Sequence, residues 1–156
     1  MAKAEKWSIL VIMKILMING PNLQLLGTRE PEIYGKLTLD KLESNLKEVA
    51  VALGVDLICF QSNHEGEIVD EIGNALKNGI DAIIINPAAY THTSVAIHDA
   101  LKAVALPAVE VHISHIAARE GFRHESLTAP ACIAVIAGLG ADGYEWALRS
   151  LTRLNK

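Results

Sequence analysis

Glu110, His112 and Ser114 alternate along Glu110-Val111-His112-Ile113-Ser114, where a short apolar run from Leu106 to Val109 gives out. Alternate residues of an extended strand share a face, so a carboxylate and an imidazole meet there. Such a carboxylate can orient the imidazole or hold it protonated, which suits a general acid. The plain alternative is an ordinary buried ion pair. Two other apolar runs end in amides: Ile15-Leu16-Met17-Ile18 leads into Asn19-Gly20-Pro21-Asn22, and Ala82-Ile83-Ile84-Ile85 into Asn86-Pro87. Asn before Gly or Pro is ordinary turn chemistry, and Asn19 needs no other role. Asn22 and Asn86 can also hydrogen-bond a substrate oxygen without adding charge. Beyond Asn86 lies Tyr90-Thr91-His92-Thr93-Ser94, a polar stretch at a helix start, where backbone N–H groups favour an anion. His98 reads as incidental on a helix surface. His92, His98 and Asp99 lack any zinc-protease spacing, so no metal site is expected.

Tyr34 is the least obvious candidate. A phenol with a pKa of ~10 is only about 0.1% ionised at neutral pH. Bringing that pKa to about 8 takes roughly 2.7 kcal/mol and yields about 10% phenolate, within reach of a nearby cation in a partly desolvated loop. Arg29 is close in sequence, and Arg123 can approach from the loop after the fourth strand. Without such cations, Tyr34 is a packing residue.

Bringing these groups together requires strands that end at one edge. Strand candidates are Ile9–Ile18, Val55–Phe60, Ala82–Ile85, Pro107–Val111 and Ala131–Ile136. Helical periodicity lies between them: Leu39, Leu42, Leu46 and Val49 before Gly54; Ile68, Ile72 and Ala75 before Gly79; Ile97, Leu101 and Val104 after a Ser94 cap; and Tyr144, Leu148 and Leu151 near the end. Strand and helix alternation implies right-handed βαβ units. The expected fold is a flavodoxin-like, doubly wound five-stranded parallel sheet with helices on both faces. Its ligands bind at the carboxyl ends of the strands.

The connection from Gly20 to Leu37 exceeds the usual roughly 2–6 residues. It is either a solvated Ω-loop or a lid carrying Asn22, Arg29 and Tyr34. The 156 residues suit one catalytic domain, with residues 1–8 a loose N-terminal extension. A net charge of −4 gives no support for nucleic-acid binding. The apolar run Ile9–Met13 is too short to span a membrane and lacks a cleavage site, so a cytoplasmic location is expected. Cys59 and Cys132 each sit in a run read as a strand, as buried inert thiols.

Taken in order, these segments resemble type II 3-dehydroquinate dehydratases. The matching blocks include Ile18-Asn19-Gly20-Pro21-Asn22-Leu23, Gly27-Thr28-Arg29-Glu30-Pro31, Tyr34-Gly35 and Gln61-Ser62-Asn63-His64-Glu65-Gly66. They continue with Ile85-Asn86-Pro87-Ala88-Ala89-Tyr90, Glu110-Val111-His112-Ile113-Ser114, Arg119-Glu120-Gly121-Phe122-Arg123 and Gly138-Leu139-Gly140. His115 stands where Asn is more usual, and His124 follows Arg123; neither holds an assigned role.

The resemblance implies reversible dehydration of 3-dehydroquinate to 3-dehydroshikimate, a trans elimination through an enolate without metal, cofactor or lysine imine. It implies Tyr34 as the base and Arg29 as the group that lowers the tyrosine pKa and stabilises developing charge. Asn22 helps hold the water that polarises the enolate. His112 is the proton donor, oriented by Glu110. Asn86, His92, Ile113, Ser114 and Arg123 bind the substrate's carboxylate and hydroxyls, and Asp99 reaches toward a neighbouring subunit's site. The implied assembly is a homododecamer, a tetramer of trimers.

Two other classes compete. A flavodoxin-like binding module would carry a Gly-x-Gly-x-x-Gly or a Gly-rich Ser/Thr phosphate loop after its first strand, and this chain has neither. A non-catalytic scaffold would have lost Tyr34, Arg29 or His112, and all three are present.

Overall fold

A computed structural model describes residues 12–28, 32 and 36–154. Arg29, Tyr34, the N-terminal extension and the expected strand start at Ile9 lie outside the described residues. Five strands, β1 (Lys14–Asn19), β2 (Asp56–Gln61), β3 (Ala82–Asn86), β4 (Ala108–His112) and β5 (Ala134–Ala137), pair in parallel in the order β2-β1-β3-β4-β5. This is the expected flavodoxin-like winding. Among the described residues, four α-helices connect or follow them: α1 (Leu39–Leu53), α2 (Glu65–Asn74), α3 (Val95–Val104) and α4 (Asp142–Leu151).

Covering both faces explains the unbroken apolar strands, because neither side of β1, β3 or β4 meets water. Ile15 and Met17 of β1 pack with Leu42 and Leu46 of α1 and Leu148 of α4. Leu16 and Ile18 point the other way, to Ile68 and Ile72 of α2 and Ile97 and Leu101 of α3. The helices end where local chemistry directs. Thr38 caps α1 by accepting from the Lys41 amide at 3.3 Å, and Gly54 stops it with φ 71°. Ser94 caps α3, accepting from the Ile97 amide at 2.9 Å.

All five strands differ from their expected bounds, β1 reaching Asn19 and β2 running Asp56–Gln61, and the shifts in β3, β4 and β5 matter most. β3 and β4 run one residue further, so Asn86 and His112 are the last strand residues rather than the first loop residues. Both are therefore held by the sheet ladder. β4 starts after Pro107, which has no N–H to donate. β5 begins only at Ala134, because Pro130 favours the 3₁₀ turn Ala129–Ala131. Cys132 consequently lies outside the strand. Both thiols are free and half-buried. Burial pushes Cys59 up to about 11 and Cys132 up to about 12, which makes both poor nucleophiles.

Gly20 is required by a close approach. Its amide donates to the Asn86 carbonyl at 2.8 Å, and a Cβ there would sit 2.4 Å from the Pro87 carbonyl oxygen. The ends of β1 and β3 are thus clamped side by side, with Asn19 and Asn86 in register. No helix among the described residues is long and apolar enough to cross a membrane.

Candidate active site

A cleft of about 710 Å³, its open mouth included, lies beyond the carboxyl ends of β1, β3 and β4. Asn22, Asn86, His92, His112, Ile113, Ser114 and Arg123, seven of the residues picked from the sequence, all line it. Asp99 does not. It is exposed on α3, outside the cleft of its own chain. Glu110 lies behind His112, fully buried.

The Glu110–His112 pair forms as the strand spacing predicts, with His112 Nε2 2.7 Å from Glu110 Oε1. The carboxylate accepts two further bonds, from Ser126 Oγ at 2.9 Å and Thr128 Oγ1 at 2.6 Å. Burial alone would raise the Glu110 pKa. The bonds from His112 and Thr128, the charge of His112 and the Ser126 bond outweigh it, and the carboxyl stays below its ordinary range. An ionised Glu110 fixes the His112 proton on Nε2. The opposite nitrogen, Nδ1, then carries a proton only when the ring is an imidazolium. That geometry can make a donor whose positive charge is balanced from behind.

Ser126 and Thr128 were not legible from the sequence. They follow two short 3₁₀ turns, Ile116–Ala118 and Gly121–Arg123, in a segment without periodicity. Their contribution to stability is testable through pH. Because the folded carboxyl titrates below its unfolded value, the unfolded chain binds the proton first. The stabilisation is complete above the unfolded pKa of about 4.3 and is lost as pH falls through the folded value. Thr128→Val removes one donor and should move the acid loss of stability to higher pH, read by chemical denaturation across pH 3–7. Superimposable profiles would remove Thr128 from the set that holds Glu110 ionised.

His98 is corrected from incidental to structural. Its Nδ1 sits 2.7 Å from the Leu127 carbonyl, tying the segment that carries Ser126 and Thr128 to α3. His92 Nδ1 lies 2.6 Å from the Glu125 carbonyl. A carbonyl only accepts, so Nδ1 holds the proton and Nε2 is left for a ligand.

The loop after β1 is anchored at its start rather than simply solvated. Leu23 and Leu26 are buried and line the cleft. Asn22 takes a left-handed conformation, φ 68°, and its amide donates to Asn63 Oδ1 at 2.9 Å. Gln61, at the end of β2, donates to the Gly20 carbonyl at 3.2 Å. Asn63 and Gln61 thereby shape the loop from the neighbouring strand end.

Arg119, a cation whose place no sequence spacing marked, also lines the cleft, and its Nη1 is 3.5 Å from Ser114 Oγ. Arg123 pairs with Glu120 at 2.9 Å and lies over the Phe122 ring. Two guanidiniums and the neutral amides suit a small, oxygen-rich anion. No group of three His, Cys, Asp or Glu side chains suited to a metal occurs among the described residues.

Asn19 is more than a turn residue. Its Oδ1 accepts from the Tyr144 hydroxyl at 2.7 Å, and Asn86 Nδ2 donates to the same hydroxyl at 2.8 Å.

Comparison with known proteins adds an independent line. The profile of the family described as dehydroquinase class II matches residues 13–152. A 3-dehydroquinate dehydratase of Bordetella avium (strain 197N) is 57% identical over 139 residues, covering 89% of this chain and 96% of its own. A type II dehydroquinase structure from Butyrivibrio crossotus DSM 2876 superposes with a TM-score of 0.89 at 49% identity, over 90% of this chain and 97% of that one. The type II dehydroquinase of Propionibacterium acnes gives 0.86 at 45% identity, over 91% and 99%.

Proposed function

The chain belongs to the class II dehydroquinase family and has 3-dehydroquinate dehydratase activity, that of a hydro-lyase in the shikimate pathway; from this we propose how its residues divide the reaction. Tyr34, as phenolate, takes the proton next to the ketone, and the electron pair moves onto the carbonyl oxygen as an enolate. Arg29 favours the phenolate and the developing negative charge. Asn22 helps hold the water that polarises the enolate oxygen. The enolate then collapses, the hydroxyl leaves from the opposite face with a proton from His112, and water departs.

The observation that carries this reading is the His112–Glu110 pair on the cleft wall, with two hydroxyl donors keeping the carboxylate charged. Hydroxide is a poor leaving group, so an imidazolium donor is the part that the reaction most needs. The base side is supported by position in the chain: Leu23 and Leu26, which line the cleft, lie just before Arg29. Closure of the Gly20–Leu37 connection over substrate would exclude water and deliver Arg29 and Tyr34 together.

Asn86, His92, Ile113, Ser114 and Arg123 bind the substrate's carboxylate and hydroxyls, and their shared place on the cleft supports this role. The chain acts as a single catalytic domain, cytoplasmic, and assembles as a homododecamer of four trimers. In favour of assembly, Asp99 presents its carboxylate outside its own cleft, where a neighbour's site can use it. The β5 edge also leaves Ile133, Val135 and Leu139 exposed.

The direct test incubates purified protein with 3-dehydroquinate and follows the ultraviolet absorbance of the conjugated enone. The product should form, and borohydride treatment in the presence of substrate should leave the activity intact. Inactivation would reveal an imine intermediate and overturn the division of roles.

A further inference from the structure

We infer that Tyr144, a residue of α4 absent from the cleft lining, is a positioning residue that sets which way the Asn86 amide faces the substrate. The inference rests on the reading of Asn86 as a substrate-binding residue.

The logic is one of proton direction. Asn86 Oδ1 accepts from the Ala88 amide at 3.1 Å, and a backbone N–H can only donate. The carbonyl end of Asn86 is thereby fixed toward Ala88, and its Nδ2 end faces the Tyr144 hydroxyl at 2.8 Å. The phenol oxygen must accept this bond. Its single proton must therefore go elsewhere, and Asn19 Oδ1 stands 2.7 Å away to take it. Tyr144 is fully buried, and burial pushes its hydroxyl up, so the proton stays on it.

Asn19 shows the cost of the arrangement. Its Nδ2 is buried without a hydrogen-bond partner among the described residues. Turning that amide round would satisfy Nδ2 on the phenol oxygen, but would drive the phenol proton against the Asn86 N–H. The unsatisfied donor is thus what the relay Ala88–Asn86–Tyr144–Asn19 requires. Among the described residues it leaves Asn86 with one N–H and one lone pair uncommitted, on a side chain that lines the cleft. Tyr144 thereby links α4 to the last residues of β1 and β3, and its effect reaches substrate only through Asn86.

The test compares KM and kcat for 3-dehydroquinate in wild type, Tyr144→Phe, Asn86→Ala and the double variant. Tyr144→Phe keeps the ring and deletes the hydroxyl. It should raise KM about three- to tenfold, the range for one neutral hydrogen bond, with a smaller change in kcat. In the Asn86→Ala background the same substitution should add nothing. A merely structural role would lower the active fraction, moving kcat and leaving KM in place. An unchanged KM in Tyr144→Phe, or an equal rise in the Asn86→Ala background, overturns the inference while leaving Asn86 as a binding residue. An unchanged KM in Asn86→Ala overturns both. If Tyr144→Phe does not fold, Asn19→Ala carries the test, since it removes the acceptor of the phenol proton. KM should rise there too, and an unmoved KM overturns the inference.

Discussion

Tyr34→Phe should lower kcat by about 10²–10⁴-fold or more, the range lost with a general base, while KM and the thermal midpoint stay close to wild type. The physical reason is that a phenyl ring has no oxygen to take the proton. Among the described cleft residues, His112 is committed through Nε2 to Glu110, the two arginines cannot accept a proton, and His92, whose Nε2 stays open as an acceptor, is assigned to binding. A proton beside a ketone is weakly acidic, so losing the base leaves elimination without its first step. Replacing a phenol by a phenyl ring removes one oxygen and little packing, which is why stability should hold. The measurement is steady-state turnover beside a thermal melt of the same preparation. Near-normal turnover would remove Tyr34 from the role of base and return it to a packing residue of the loop.

His112→Ala should separate the two halves of the reaction. Dehydration should fall by about 10²–10⁴-fold, because hydroxide must now leave without a proton. Exchange of the α-proton with deuterated water, followed by mass spectrometry of recovered 3-dehydroquinate, should remain detectable, because it needs only the base and enolate stabilisation. Loss of both in step would mean that the imidazole does not act after the enolate. The substitution also strands a buried carboxylate. Removing one partner of such a pair typically costs about 3–5 kcal/mol, and here Ser126 and Thr128 remain to offset part of it. Rates are therefore normalised to the folded fraction from a denaturation curve measured in parallel.

The contrast between Glu110 and Tyr144 shows what a sequence makes legible. Glu110 and His112 are two apart in a strand, and the period of a strand alone places them on one face. The helices were equally accessible: Leu39, Leu42 and Leu46 mark the buried face of α1 by spacing, and Thr38 and Gly54 mark its ends by residue chemistry. These are local properties, carried by backbone geometry and by the solvent preference of each side chain.

The partners of Glu110 were not accessible in that way. Ser126 and Thr128 are 16 and 18 residues downstream, in a run of short turns whose path no periodicity dictates. His98 read as a surface residue because its acceptor, the Leu127 carbonyl, arrives from that same segment. Tyr144 looked like one more apolar position of an amphipathic helix, since a phenol and a phenyl ring contribute alike to such a pattern. Its hydroxyl found Asn19 across 125 residues of chain.

By itself, then, the order of residues determined the strands, the helices, the doubly wound sheet and the identity of the groups gathered at its edge, because burial and backbone period act over a few neighbouring positions. Only the tertiary structure decided which buried polar group bonds to which, and so which way each proton points. Hydrogen bonds are short and directional, and no spacing along the chain encodes a distance of 2.7 Å between residues that meet solely when the sheet and its helices close on one another.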